Sequence, residues 1–175
     1  MRKLLLATQV SAIALLILFR PTPSDAQPAI QDVKSCMEGV YVLEEFKRDG
    51  EVFRPPQIAG RFIALNGTVT YIFHDRTRQT SQTSIVGIGK YTITASGYSY
   101  NYDDYTTYTH SAAGTTVSRQ LPFQGRIRSF VPRLESDGMH LHGVEEPQNY
   151  HCTPDARTVS DGAGNYRKYR RIRSE

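Results

Sequence analysis

The stretch "GRFIALNGTVTYIFH", residues 60–74, decides the fold. Two apolar runs, residues 61–65 and 68–74, are joined by Asn66-Gly67, the preferred pair for a two-residue type I′ turn because both central positions need positive φ. A β-hairpin follows. Upstream, "GVYVLEEFK" (residues 39–47) is rich in β-branched and aromatic residues and runs into Asp49-Gly50, a second turn pair. Downstream, strands resume over residues 90–95, turn at Ser96-Gly97 and continue from Tyr98 toward Thr109. "RIRSFVPRLESDGMHLHGV", residues 126–144, reads as a further hairpin turning through Asp137-Gly138, and "NYRKYRRI", residues 165–172, as a last strand. Pro132 lacks an N–H for a ladder bond and marks an edge, bulge or bend. Residues 75–87, 110–125 and 145–164 are polar or irregular and read as loops.

The expectation is an all-β chain of about eight strands, joined mostly in sequence order and with no helix after the leader. An antiparallel sheet of that size manages its edges best by closing on itself. The expected fold is therefore a single up-and-down β-barrel over residues 39–173, able to hold one small ligand. No internal repeat points to a propeller or solenoid.

The first residues address the compartment. Arg2 and Lys3 precede a mostly apolar run to Phe19, and Ser24-Asp25-Ala26 places small residues at a cleavage site. This is the pattern of a secretory leader ending at Ala26, with an uncleaved anchor as the alternative. The expected location is periplasmic or secreted. Removal of residues 1–26 leaves 149 residues, suited to one domain, with 18 basic and 16 acidic side chains. A net charge of +2 gives nucleic acid little to hold, and no nucleic-acid partner is expected. Residues 27–38 read as a short N-terminal arm. The two cysteines, Cys36 and Cys152, are expected to pair in that compartment, with two buried thiols as the other reading.

The order of "GVYVLEEFKRDGEVFRP", "GRFIALNGTVTY", "GKYTITASGYSYNY", "RSFVPRLESDGMHLHG" and "YRKYRRI" resembles small bacterial lipocalin-like domains, calycin-type barrels, over about residues 39–173. Lipocalins begin with a Gly-x-Trp on the first strand, with an arginine from the last strand packed on the ring. Gly39-Val40-Tyr41 stands at that place here, and the chain has no tryptophan. The resemblance implies that Tyr41 plugs the barrel floor under Arg170 or Arg171. It also implies a ligand-holding calyx and no conserved chemistry.

Six of the eleven tyrosines fall within residues 89–110. Side chains alternate in a strand, so Tyr98, Tyr100 and Tyr102 share one face, and the later spacing of three puts a bulge or strand end near Asp103-Asp104. With Ile93, Tyr71 and Phe73 they are candidates to line a cavity for a small apolar or amphipathic ligand, or simply to fill the barrel. Sequence leaves both readings open.

Other chemistry finds less support. His140 and His142 share a strand face, but a metal site needs a third ligand, and His74, His110 and His151 sit in or beside loops with no fixed spacing to the pair, so no metal is expected. The pairs Glu44-Glu45 and Asp103-Asp104 point to opposite faces of their strands and form no dyad; Glu145-Glu146 is read as solvated charge. No nucleophile elbow, phosphate loop or dinucleotide fingerprint is present. The chain is read as a monomeric binding protein rather than an enzyme, without a cofactor, and its basic end as a weak contact for an anionic envelope surface. Two alternatives stand beside it: an envelope interaction or inhibitor protein acting through its outer surface, and a barrel enzyme of the isomerase or lyase type.

Overall fold

A computed structural model describes residues 28–122, 127–145 and 147–173. The leader read at residues 1–26, and Arg126 and Glu146, lie outside the described residues. The chain folds as a short helix, α1 (Ile30–Met37), and twelve strands. The strands are β1 (Gly39–Arg48), β2 (Glu51–Phe53), β3 (Ile58–Leu65), β4 (Thr68–Asp75), β5 (Ser81–Thr94), β6 (Gly97–Ser111), β7 (Gly114–Gln120), β8 (Arg128–Glu135), β9 (Gly138–Gly143), β10 (Asn149–Cys152), β11 (Ala156–Ser160) and β12 (Tyr166–Ile172).

Ten of them, all but β2 and β7, form a closed antiparallel up-and-down barrel, because β12 returns to pair with β1 from Val40–Ile172 to Lys47–Tyr166. The expected closure is present, with ten strands where about eight were read. The missing strands are β10 and β11, inside the stretch read as irregular; each is four or five residues long, with polar residues facing out. The stretches read as loops at 75–87 and 110–125 also differ. β5 reaches back to Ser81 and pairs with the far half of β6, and β7 pairs along Tyr105 to Ser111 of β6, outside the barrel. Their residues show little alternation because both faces of this extension meet solvent: β7 is exposed throughout.

The hairpin that decides the fold forms as read, with Asn66 at φ 51 and Gly67 at φ 79 in the type I′ turn. Its second strand alternates strictly, burying Val69, Tyr71, Phe73 and Asp75. The interruption near Asp103-Asp104 is a bulge: Ile88 pairs with Asp104 and Gly89 with Tyr102, which leaves Asp103 over. The extra residue resets the alternation, so Tyr105, opposite Gly87, follows Tyr98, Tyr100 and Tyr102 onto the inner face. Outward positions such as Arg61, Lys90, Thr92 and Arg170 are exposed.

The N-terminal arm contains a helix, where none was expected after the leader. Eight residues are too few to hold a helix by propensity, so tertiary contacts sustain it. Val33, Cys36 and Met37 are buried at one end of the barrel, Tyr41 Oη donates to the Cys36 carbonyl at 2.6 Å, and Tyr91 Oη donates to Glu38 at 2.7 Å. The Cys36–Cys152 disulfide spans 116 residues and ties α1 to the end of β10. Breaking it with Cys36→Ser and Cys152→Ala is expected to lower the unfolding free energy by about 2–5 kcal/mol in guanidinium titrations.

The opposite end is fastened by Arg48, which donates to Asp75 at 2.7 Å and to Thr77 at 2.8 Å, while the Thr77 amide donates back to Asp75 at 2.9 Å. Burial raises the Asp75 pKa, but the bonds from Thr77 and Arg48 outweigh it and hold the carboxyl below its ordinary 3.8. A depressed carboxylate stabilises the fold fully above its ordinary pKa and loses that contribution as pH falls through the folded value. Asp75→Asn is accordingly expected to reduce stability at neutral pH and to flatten the acid limb below about pH 4 in urea titrations.

Candidate functional site

The barrel encloses a cavity of about 190 Å³. Each wall residue is placed by the period of two. β4 contributes Tyr71, β6 contributes Tyr100, Tyr102 and Tyr105, β8 contributes Arg128, β10 contributes Tyr150, β11 contributes Arg157 and Val159, and β12 contributes Arg167 and Tyr169. Phe62, Ile85 and Gln148 complete the lining. Three guanidinium groups thus share a tyrosine-lined chamber, and no carboxylate lines it among the described residues.

Arg157 is the deepest of the three, with no solvent exposure. Its guanidinium carbon lies 3.8 Å from the centre of the Phe62 ring, 4.2 Å from that of Tyr41, and 5.5 Å from those of Tyr150 and Tyr169. Its three nitrogens have no hydrogen-bond partner among the described residues. A guanidinium stays charged in proteins, and burying an unpaired charge costs several kcal/mol. Stacking on aromatic faces returns about 2 kcal/mol per desolvated contact but leaves the N–H groups unmet. Arg167 lies 5.2 Å from Phe46 and 5.5 Å from Phe73, and Arg128 lies 5.5 Å from Tyr100. Burial pushes the Tyr71, Tyr102 and Tyr150 phenols well above their ordinary range, so these three stay neutral. They can offer a ligand hydroxyl donors but no counter-charge. Tyr150 Oη already donates to Tyr100 Oη at 3.3 Å.

Of the sequence candidates, Tyr71, Tyr100 and Tyr102 line the cavity. Tyr98 and Phe73 are buried beside it in the ring packing, Tyr98 against Tyr91, Phe130 and Tyr150 and Phe73 against Phe46. Ile93 is half-buried and packs on the core away from the lining. Gly39 opens β1 and Tyr41 is buried at the floor, where the Arg171 guanidinium lies 5.0 Å from its ring and donates to its hydroxyl; Arg170 points outward to Glu44 at 2.7 Å. Arg128, Arg157, Arg167, Tyr150 and Tyr169 were not read from sequence as site residues. The alternation of Arg167, Tyr169 and Arg171 was the available signal, since a buried ring at Tyr169 carries its neighbours two residues away to the same face.

No family model, curated protein or solved structure matches this chain. Its class rests on the fold and the site: a closed antiparallel barrel, consistent with a calycin-like fold, with an aromatic and cationic interior. If the Arg157 charge serves something outside the chain, the empty barrel bears its cost. Arg157→Met is then expected to raise the unfolding free energy of ligand-free protein by about 1–4 kcal/mol, whereas a purely structural stack would lower it.

Proposed function

We propose that this is an exported lipocalin-like binding protein that holds a small amphipathic acid in its barrel, with the anionic group on Arg157 and the ring or short apolar body against Tyr71, Tyr100 and Tyr102. The observation that carries this reading is the fully buried Arg157 whose nitrogens have no partner among the described residues. A charge in that position is matched by an anion brought in from outside, and charge-assisted bonds to guanidinium are the strong ones. Size narrows the ligand further. An apolar cavity of roughly 150 Å³ accepts benzene, so about 190 Å³ suits one aromatic ring with a carboxylate rather than a long acyl chain. The disulfide is compatible with an oxidising compartment, which agrees with export.

A second reading, an envelope interaction protein working through its outer surface, is favoured by β7: one edge pairs with β6 beyond the barrel while the strand itself is exposed throughout. The calyx reading is tested by calorimetric titration with benzoate and with the neutral benzyl alcohol. Benzoate is expected to bind at least tenfold more tightly. Tyr100→Ala should weaken that binding far more than Asn101→Ala on the other face of the same strand. Equal affinity for acid and alcohol, or equal losses in the two variants, would move the weight to the outer surface.

A further inference from the structure

A second cluster lies on the outer face of the closed end, separate from the cavity. His140 and His142 alternate along β9, and the β9–β10 ladder sets His151 directly opposite His140. The ring centres of His140 and His151 are 4.4 Å apart with planes inclined by 18°, and His142 stacks beyond at 6.2 Å from His140. The turn between β8 and β9 carries two carboxylates to the same spot. Asp137 Oδ1 lies 2.8 Å from His140 Nε2 and Asp137 Oδ2 lies 3.6 Å from His151 Nε2. Glu135 comes within 4.0 Å of His140 Nε2 and 3.9 Å of His142 Nε2. His151 Nε2 also sits 3.2 Å from the Asp137 carbonyl oxygen.

We propose that Asp137, His140 and His151 bind a divalent transition-metal ion of the zinc or copper class, with Glu135 beside them as a fourth donor. The ligand atoms of Asp137, His140 and His151 all lie within 4.8 Å of one another. An ion held at roughly 2.1 Å sets tetrahedral donors about 3.4 Å apart, so small side-chain shifts complete the site. Two imidazoles with carboxylates suit zinc and copper, and copper ranks higher in affinity at such donors. The backbone at Gly138 fits the arrangement. Gly138 has φ +143, and a Cβ there would stand 3.1 Å from His151 Nε2 and 2.3 Å from the Cys152 carbonyl oxygen. Glycine is what lets the Asp137 turn close against the His151 ring. The ion would join β9 to β10 one residue from the disulfide.

Arg133 is the ladder partner of His140 on β8, which sets a cation on the same sheet face as the site. Charge logic therefore gives opposite signs for neighbouring substitutions. Disulfide-intact protein is titrated with zinc chloride and with copper chloride by calorimetry, and the copper complex is examined by electron paramagnetic resonance. One ion per chain is expected, with nitrogen couplings from two imidazoles. His151→Ala and Asp137→Asn should each weaken binding at least tenfold and Arg133→Ala should tighten it, while His110→Ala, on the β6 extension, should leave it unchanged. All these side chains lie on the surface, and a thermal melt checks that each variant is folded. Binding that survives His151→Ala undiminished, that is lost equally in His110→Ala, or that shows fewer than two nitrogens overturns the proposal.

Discussion

Arg157 sits where β11 faces β1 and β3 across the barrel floor, its guanidinium against the rings of Phe62 and Tyr41. Everything above it follows from that placement. The charge has to be roofed by flat, polarisable surfaces, and the chain supplies them as Tyr71 of β4, Tyr100, Tyr102 and Tyr105 of β6, Tyr150 of β10 and Tyr169 of β12. The cavity is bounded by those rings and by the three guanidinium groups. Phenols and three guanidinium groups, with no carboxylate among the described lining residues, make a chamber whose charge is of one sign.

The two ends of the barrel have different jobs in this arrangement. At the floor, α1, the disulfide and Tyr41 form one fastened unit: Arg171 bonds both the Ser35 carbonyl and the Tyr41 hydroxyl, and Tyr41 in turn holds the Cys36 carbonyl. Arg157 above this unit has no solvent exposure. At the other end, the rim, Arg48 is fastened to Asp75 and Thr77, while Gln148 of the β9–β10 connection and Ile85 of β5 join the cavity lining. The β5–β6–β7 extension rises beyond that rim.

Local chemistry was legible and register was not. Asn66-Gly67 specifies its turn through backbone dihedrals alone, and the period of two sorts Tyr98, Tyr100 and Tyr102 to one face without any tertiary knowledge. The helix escaped because its eight residues gain their order from packing and the disulfide. β10 and β11 escaped because four or five residues carry too little pattern to separate from loop. The cavity arginines were passed over for a better reason. A charged side chain is outward by default, and only the ladder between β11 and β12, which pairs Arg157 with the buried Tyr169, turns it in. His151 gained its partners in the same way, through pairing with His140 that no spacing in the sequence encodes.

The central claim is that the buried charge of Arg157 is met by an anion from outside the chain. It is tested most directly by native mass spectrometry of protein isolated without refolding, followed by organic extraction of whatever accompanies it. The account predicts a discrete added mass, lost on extraction and identified as a small organic acid, in wild type and not in Arg157→Met. Ligand-free wild type that also fails to take up any small organic acid would contradict it.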